Sequence, residues 1–343
     1  RSINPVLVGD RDLVSFTTEG AGHGISARGV KKLTIRGGNL SKCFTDGIYL
    51  NGVEEVLIEY LTCDGNRRQG LSLISAKNFL CRNSTFKNTN GTAPMMGVNI
   101  EPNGVDEQLE NVVFENIITE NNAASGIGIN FNQLNNANTI VDVTIRNWMD
   151  KGSINAFSAT HYNGVISEAS KVNIIELKAI DTKYAPINVA GYKADGTARL
   201  FIDKPIIKNP NTLLGTNERR QNVGIAIHTD TTGYPAGTPQ GNVEINEPYI
   251  EVDSGKTILR GIFIGYSNPY KKIIIRDPVK INIGDNANLS ANGNHNLISF
   301  NNTSQGDVKI YDKYGILSLN TATTMIRNYG TSAYYKYVST LAS

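Results

Sequence analysis

Cysteine is scarce in this sequence: Cys43, Cys63 and Cys81 are the only three in 343 residues. An odd number, spaced unlike metal ligands, excludes a disulfide-stapled scaffold and a zinc-binding one. Free thiols packed as small apolar groups are expected instead, with Cys81 in the core. No compact calcium-loop motif is present either, so neither a metal nor another cofactor is expected. Apolar stretches are short. None approaches the ~18 residues that would span a bilayer, and the first residues lack a charged-then-apolar leader, so no membrane insertion is expected. Surplus charge is missing too. Thirty-three Lys and Arg stand against 31 Asp and Glu, a net charge of +2, too balanced for attraction to a phosphate backbone to dominate, and no nucleic-acid partner is expected.

Asparagine, isoleucine and glycine are abundant, with 41, 38 and 33 residues. This mixture disfavours helices and suits β-branched strands joined by turns that need positive φ. The strands repeat. A small residue followed by apolar alternation recurs as GIYL from Gly47, GLSL from Gly70, GVNI from Gly97, GIGI from Gly126, AFSA from Ala156, GIAI from Gly224 and GIFI from Gly261, with PINV from Pro186 and LISF from Leu297 as weaker members. A second alternation follows each, beginning at Leu33, Val56, Phe79, Val112, Val143, Val172, Leu200, Val243, Ile273 and Val308. Two or three short strands per repeat, spaced 23 to 43 residues apart, with no helical period between them, describe an all-β parallel β-helix of about ten coils. A β-sandwich is the alternative, but its strands do not keep one register through so many repeats. Alternation places Ile48, Leu50, Val56, Ile58, Val98, Ile100, Ile127, Ile129, Val143 and Ile145 inside. At ~4.8 Å per coil the rod is about 48 Å long. The β-helix is assigned to residues 1–310. The Tyr-rich segment 311–343 reads as a cap or subunit contact that covers an open strand edge. Because Arg1 leads straight into the strand-like PVLVGDRDLVSF, an N-terminal part of a longer protein is expected to be missing from this chain.

The coil pattern resembles the right-handed parallel β-helix proteins of the pectate-lyase-like superfamily, and in particular polysaccharide-degrading phage tailspikes. The resemblance spans nearly the whole chain, and its most distinctive text is NRRQGLSL at 66–73 and NGTAPMMGVNIEPN at 90–103. It implies a homotrimer in the virion tail, made in the host cytoplasm and acting outside the cell. The implied partner is a bacterial capsular, exo- or O-antigen polysaccharide, cleaved by hydrolysis or, less favoured, by β-elimination. A carbohydrate-binding rod without catalysis and a polysaccharide epimerase are the competing functions. Thr45-Asp46-Gly47-Ile48 resembles the first acid motif of polygalacturonases, but the next coil reads RQGL where that activity needs paired aspartates, and GHG at 22–24 comes too early. That activity is excluded.

With Val98 and Ile100 inward, positions 97, 99 and 101 are expected outward. Glu101 is then the only acid in its column, among Asn51, Ile74, Asn130, Thr160, Ala190 and His228. A carboxyl beside amides and apolar groups suits proton transfer to or from a glycosidic linkage. The competing reading has it bonding the amides of the PNGV turn. Hydrolysis needs a partner for Glu101, and candidates are Asp106, Asp64, Glu107 and Glu120, since carboxylates one or two coils apart match retaining or inverting chemistry. His161 is a candidate proton-transfer residue beside Tyr162. Arg67 and Arg68 are candidates for holding an acidic sugar bidentately, or for pairing with Asp46 or Asp64. Asn99, Asn130, Tyr162 and His228 complete the expected binding residues. The Gly47, Gly70, Gly97, Gly126 column either strips side chains from an outer groove or serves the turns entering each strand. Insertions at 209–222 and 229–241 flank His228 as binding walls.

Overall fold

A computed structural model describes residues 6–10, 22–213, 223–229, 233–253, 260–265 and 270–276, and beyond them the backbone of strands Lys280–Ile283, Asn296–Asn301, Val308–Ile310, Ile326–Asn328 and Lys336–Tyr337. Every strand-to-strand pairing is parallel, between one coil and the next. An eleven-stranded sheet holds the small-residue column, from Ile25–Arg28 through Asp46–Asn51, Gln69–Leu73, Met96–Ile100 and Ser125–Asn130 to Ile326–Asn328. A seventeen-stranded sheet holds the second alternation and wraps round a corner into a third face. In Ala76–Lys87, Leu109–Glu120 and Val141–Lys151 one continuous strand turns that corner on a single left-handed residue: Asn83 (φ 50°), Asn116 (φ 53°) and Asn147 (φ 49°).

These corners explain the asparagine content. Asn tolerates the left-handed region better than other side chains, and stacking coils brings equivalent amides into hydrogen-bonding range. Asn116 Nδ2 donates to Asn83 Oδ1 (2.9 Å), Asn147 Nδ2 to Asn116 Oδ1 (2.6 Å), and Asn111 Nδ2 to Asn78 Oδ1 (2.9 Å). Between them lies the main apolar core, and every residue assigned inward above is buried in it. All three cysteines are buried and free. Burial pushes the Cys63 thiol well up and that of Cys81 to about 12.

The glycine column does not do what its periodicity predicts. Gly47, Gly70, Gly97 and Gly126 are buried, and none has positive φ. A Cβ on Gly97 would lie 2.6 Å from the Gly126 carbonyl oxygen and 2.9 Å from Asn122 Nδ2; on Gly47 it would lie 2.7 Å from Asn66 Nδ2. These positions therefore face an inner corner, where Asn66 and Asn122 are fully buried. Asn66 accepts the Cys43 N–H and donates to the Leu40 carbonyl; Asn122 accepts the Thr89 N–H and donates to the Phe86 carbonyl. Glycine leaves room for those amides. It opens no outer groove, and no left-handed turn requires it.

Most of 311–343, and 214–222 of the long insertions, lie outside the described residues. Strands Ile326–Asn328 and Lys336–Tyr337 pair in parallel with Asn296–Asn301 and Val308–Ile310.

Candidate functional site

On the eleven-stranded sheet Ile48, Leu71 and Val98 point in, so Tyr49, Ser72 and Asn99 occupy one outward column on three successive strands. Glu101 follows the end of Met96–Ile100, its backbone N–H bonded to the Leu73 carbonyl (3.0 Å). Asn99 Nδ2 donates to Glu101 Oε2 (2.6 Å), and Asn130 Nδ2, from the next coil, donates to Oε1 (2.9 Å). Coil stacking thus fixes the carboxylate from two sides. The PNGV turn is served by Glu107, which accepts the N–H groups of Asn103 and Gly104, so the turn-bonding role expected for Glu101 belongs to its neighbour.

Glu101 borders a cleft of about 200 Å³ together with Asn99, Asn103, Ser72, Arg68, Tyr49, Arg28 and His23. The His23 ring stacks on Tyr49 (centroids 4.9 Å, 30°), and the Arg28 guanidinium lies 4.6 Å from the Tyr49 ring centre. Behind that wall sits the fully buried carboxyl of Asp46. Its Oδ2 accepts Ser72 Oγ–H at 3.0 Å and lies 3.3 Å from His23 Nδ1 and 3.6 Å from Arg68 Nη1. Thr45 Oγ1 is 2.9 Å from the same His23 nitrogen. Arg68 therefore makes the Asp46 contact foreseen as its structural alternative while still reaching the cleft.

The other sequence candidates stand elsewhere. Asp64 is on the third face, bonded to Asn88 Nδ2 (2.7 Å) and 3.6 Å from Lys87 Nζ. Asp106 accepts Asn136 Nδ2 (2.7 Å) on an exposed loop. Neither borders the cleft, so neither is placed as the partner of Glu101. Arg67 turns away and stacks 4.4 Å over Phe44. His161 is not at the surface. It ends strand Asn155–His161 on the inward side that Phe157 and Ala159 begin, and its side chain is buried edge-on between Phe131 and Tyr192 at 6.0 and 6.2 Å. Burial, with Lys193 nearby, pushes its pKa down to about 3, so at neutral pH it is an uncharged core residue. Tyr162 is two coils beyond Glu101, its ring 6.5 Å from Tyr234. His228 is buried, Nε2 at 2.8 Å from Asn188 Oδ1. Among the described residues no three His, Cys, Asp or Glu side chains gather as a metal-binding group.

Arg28 and Tyr49 escape the sequence reading, which gives Asp46 only as a possible partner of Arg68 and His23 only within the GHG motif. Tyr49 was within reach, because it lies between the inward Ile48 and Leu50. Arg28 sits on an end strand whose small residue, Gly24, heads an alternation of only Ile25 and Ala27, too weak to stand out. His23 and Asp46 come from short motifs that carry no weight until coil stacking brings them together.

The fold and cleft together define a right-handed parallel β-helix protein, and a family model described as a right handed beta helix region matches residues 13–136, the stretch that contains every cleft residue named above. No curated protein matches the chain. Among solved structures it is similar to the tailspike protein gp49 from Pseudomonas phage LKA1, at 12% identity and a TM-score of 0.45, over 89% of this chain. The chain spans about half the length of that structure, 51%.

Proposed function

We propose that this chain is the glycan-cleaving part of a phage tailspike, acting on a bacterial surface polysaccharide by hydrolysis at the Glu101 cleft. One observation supports it above the others: a carboxylate held by two amides faces a cleft walled by an aromatic ring and two guanidinium groups, on a sheet long enough for several sugar units. Tyr49 offers a stacking surface. Arg28 and Arg68 suit an acidic substituent. A homotrimer belongs to the same proposal. Its contact is the third face, where Ile118 and Ile206 stand in one outward column, linked through Met149 and Lys178, and are 39% and 43% exposed.

The non-catalytic binder is the second reading. It is favoured by the fact that both Glu101 oxygens already accept amide N–H groups and that, among the described residues, no other acid borders the cleft. Incubation with a panel of capsular and O-antigen polysaccharides separates the two readings. New reducing ends without absorbance from unsaturated sugars are expected of a hydrolase, and neither signal of a binder. Replacing Glu101 with Gln keeps its shape and removes the titratable group. A loss of roughly 100-fold in cleavage is expected, with melting temperature nearly unchanged once the Asn99 or Asn130 amide turns its oxygen to the new N–H. A stable, fully active Glu101→Gln protein would remove Glu101 from the mechanism.

A further inference from the structure

Where the first coil stacks on the second, its cations meet acids, with one exception. Lys31 Nζ lies 3.1 Å from Glu54, Lys32 Nζ 3.8 Å from Glu55, and Arg36 Nε 2.5 Å from Glu59. Arg28, exposed on the cleft face of the same coil, stacks on Asn51 instead. Among the described residues it makes no ion pair and donates no hydrogen bond. The cation that faces the cleft is the one without a counter-ion.

Arg28 is nonetheless held in place. Its guanidinium carbon lies 4.6 Å from the centre of the Tyr49 ring, which is buried and stacked on His23. The His23 ring is fixed in turn at Nδ1, 2.9 Å from Thr45 Oγ1 and 3.3 Å from Asp46 Oδ2. The buried polar groups under the cleft thus stiffen a stack that carries a guanidinium at its surface. Contact with a ring uses none of the five N–H donors of an arginine and reduces the freedom it must lose on binding.

The other charges of the cleft do not neutralise Arg28. Arg68 is compensated by the buried Asp46, its Nη1 3.6 Å from Oδ2. Glu101 is held by two neutral amides. It follows Arg28 in one outward column, through Asn51 and Ile74, three coils farther on. Three rises amount to ~14 Å, a separation at which solvent and salt screen exposed charges from each other.

Building on the glycan-cleaving reading above, we propose that the substrate is an acidic polysaccharide and that Arg28 selects it, by pairing with a carboxylate on a sugar unit three coils from the bond at Glu101. The glycan supplies the counter-ion that the protein omits. A planar carboxylate matches the guanidinium fork with two parallel hydrogen bonds. The charged unit is a neighbour of the reacting one, so Arg28 contributes binding and selection rather than chemistry. A neutral glycan in the same place would cover the guanidinium and leave it unpaired, which is a penalty against the wrong chain.

Affinity electrophoresis of the wild-type protein, through gels holding capsular or O-antigen polysaccharides that are either carboxylate-bearing or neutral, reads binding without requiring cleavage. The polymers bound are expected to be carboxylate-bearing, and reduction of their carboxyl groups to alcohols with carbodiimide and borohydride is expected to weaken binding roughly 10- to 100-fold. Arg28→Ala should lose the same factor on the native polymer and nothing further on the reduced one. Arg28→Lys keeps the charge without the fork and should fall between. Should Arg28→Ala fail to fold, Arg28→Gln takes its place, with the same loss expected. Wild-type binding that survives carboxyl reduction, tightest binding to a neutral polymer, no binding to any carboxylate-bearing member, or an Arg28→Ala loss of equal size on native and reduced polymers would overturn this inference and leave the cleavage reading to its own test. Acidic polymers bound through Arg28 and never cut would overturn the cleavage reading and leave this one standing.

Discussion

His161 and Asp150 are two buried titratable groups whose effects on stability run in opposite directions with pH. His161 is held neutral, its pKa down from 6.5 to about 3 through burial. Its stabilising contribution is complete above pH ~6.5 and is lost as pH falls toward 3. Asp150 is buried against Thr119 and Ser153, and burial pushes its pKa from 3.8 up to about 7. Its contribution is complete below pH ~4 and is lost as pH rises toward 7. The two shifts are of similar size, so the wild-type protein is expected to show nearly flat stability across this range. Single variants should uncover each slope. His161→Phe should be the more stable protein at pH 5, by about 2 kcal/mol, with the proposed glycan cleavage at pH 7 unaffected. Asp150→Asn should be the more stable one at pH 8. Chemical denaturation at three pH values checks both, and loss of activity in a folded His161→Phe protein would return that histidine to the site.

The strands entering the coils at Gly47, Gly70, Gly97 and Gly126 are closed at their inner corner by glycine, and that closeness can be tested. Gly97→Ala puts a methyl group within 3 Å of a backbone oxygen and a buried amide that cannot both move aside. A destabilisation of roughly 1–3 kcal/mol is expected, with glycan affinity preserved in the folded fraction. Unchanged stability with weakened glycan binding would favour the outer-groove reading over the inner-corner one. The strands themselves are readable because alternation records which side chains must leave water. The corners are not, since whether a glycine faces in or out depends on where the chain bends, and no periodicity marks that residue.

Seen along its axis, the molecule has three faces of different character. Lys31–Glu54 and Lys77–Glu110 ion pairs, and Glu59 between Arg36 and Arg82, cover the second face. The first holds the cleft, and the third exposes Ile118 and Ile206. A trimer closed through the third face leaves the three clefts outward. Light scattering is expected to give about three times the 37.3 kDa chain mass, and Ile118→Asp with Ile206→Asp is expected to lower it. A wild-type mass equal to one chain at micromolar concentration would exclude the trimer.

The fold follows from the sequence alone because a β-helix is quasi-one-dimensional. Each coil repeats its neighbour's burial pattern, so ten copies of one alternation identify the core, the register and the outward column of Asn99, Glu101 and Asn130. The same logic places Arg68 at the edge of that column. The site's second half is a tertiary result. His23, Arg28 and Asp46 belong to coils before Glu101, and only the ~4.8 Å coil rise brings residues so far apart in the chain to one cleft. His161 was misplaced by one position: it continues the inward alternation of Phe157 and Ala159 while Thr160 beside it faces out, because inward and outward differ by a single position in a strand.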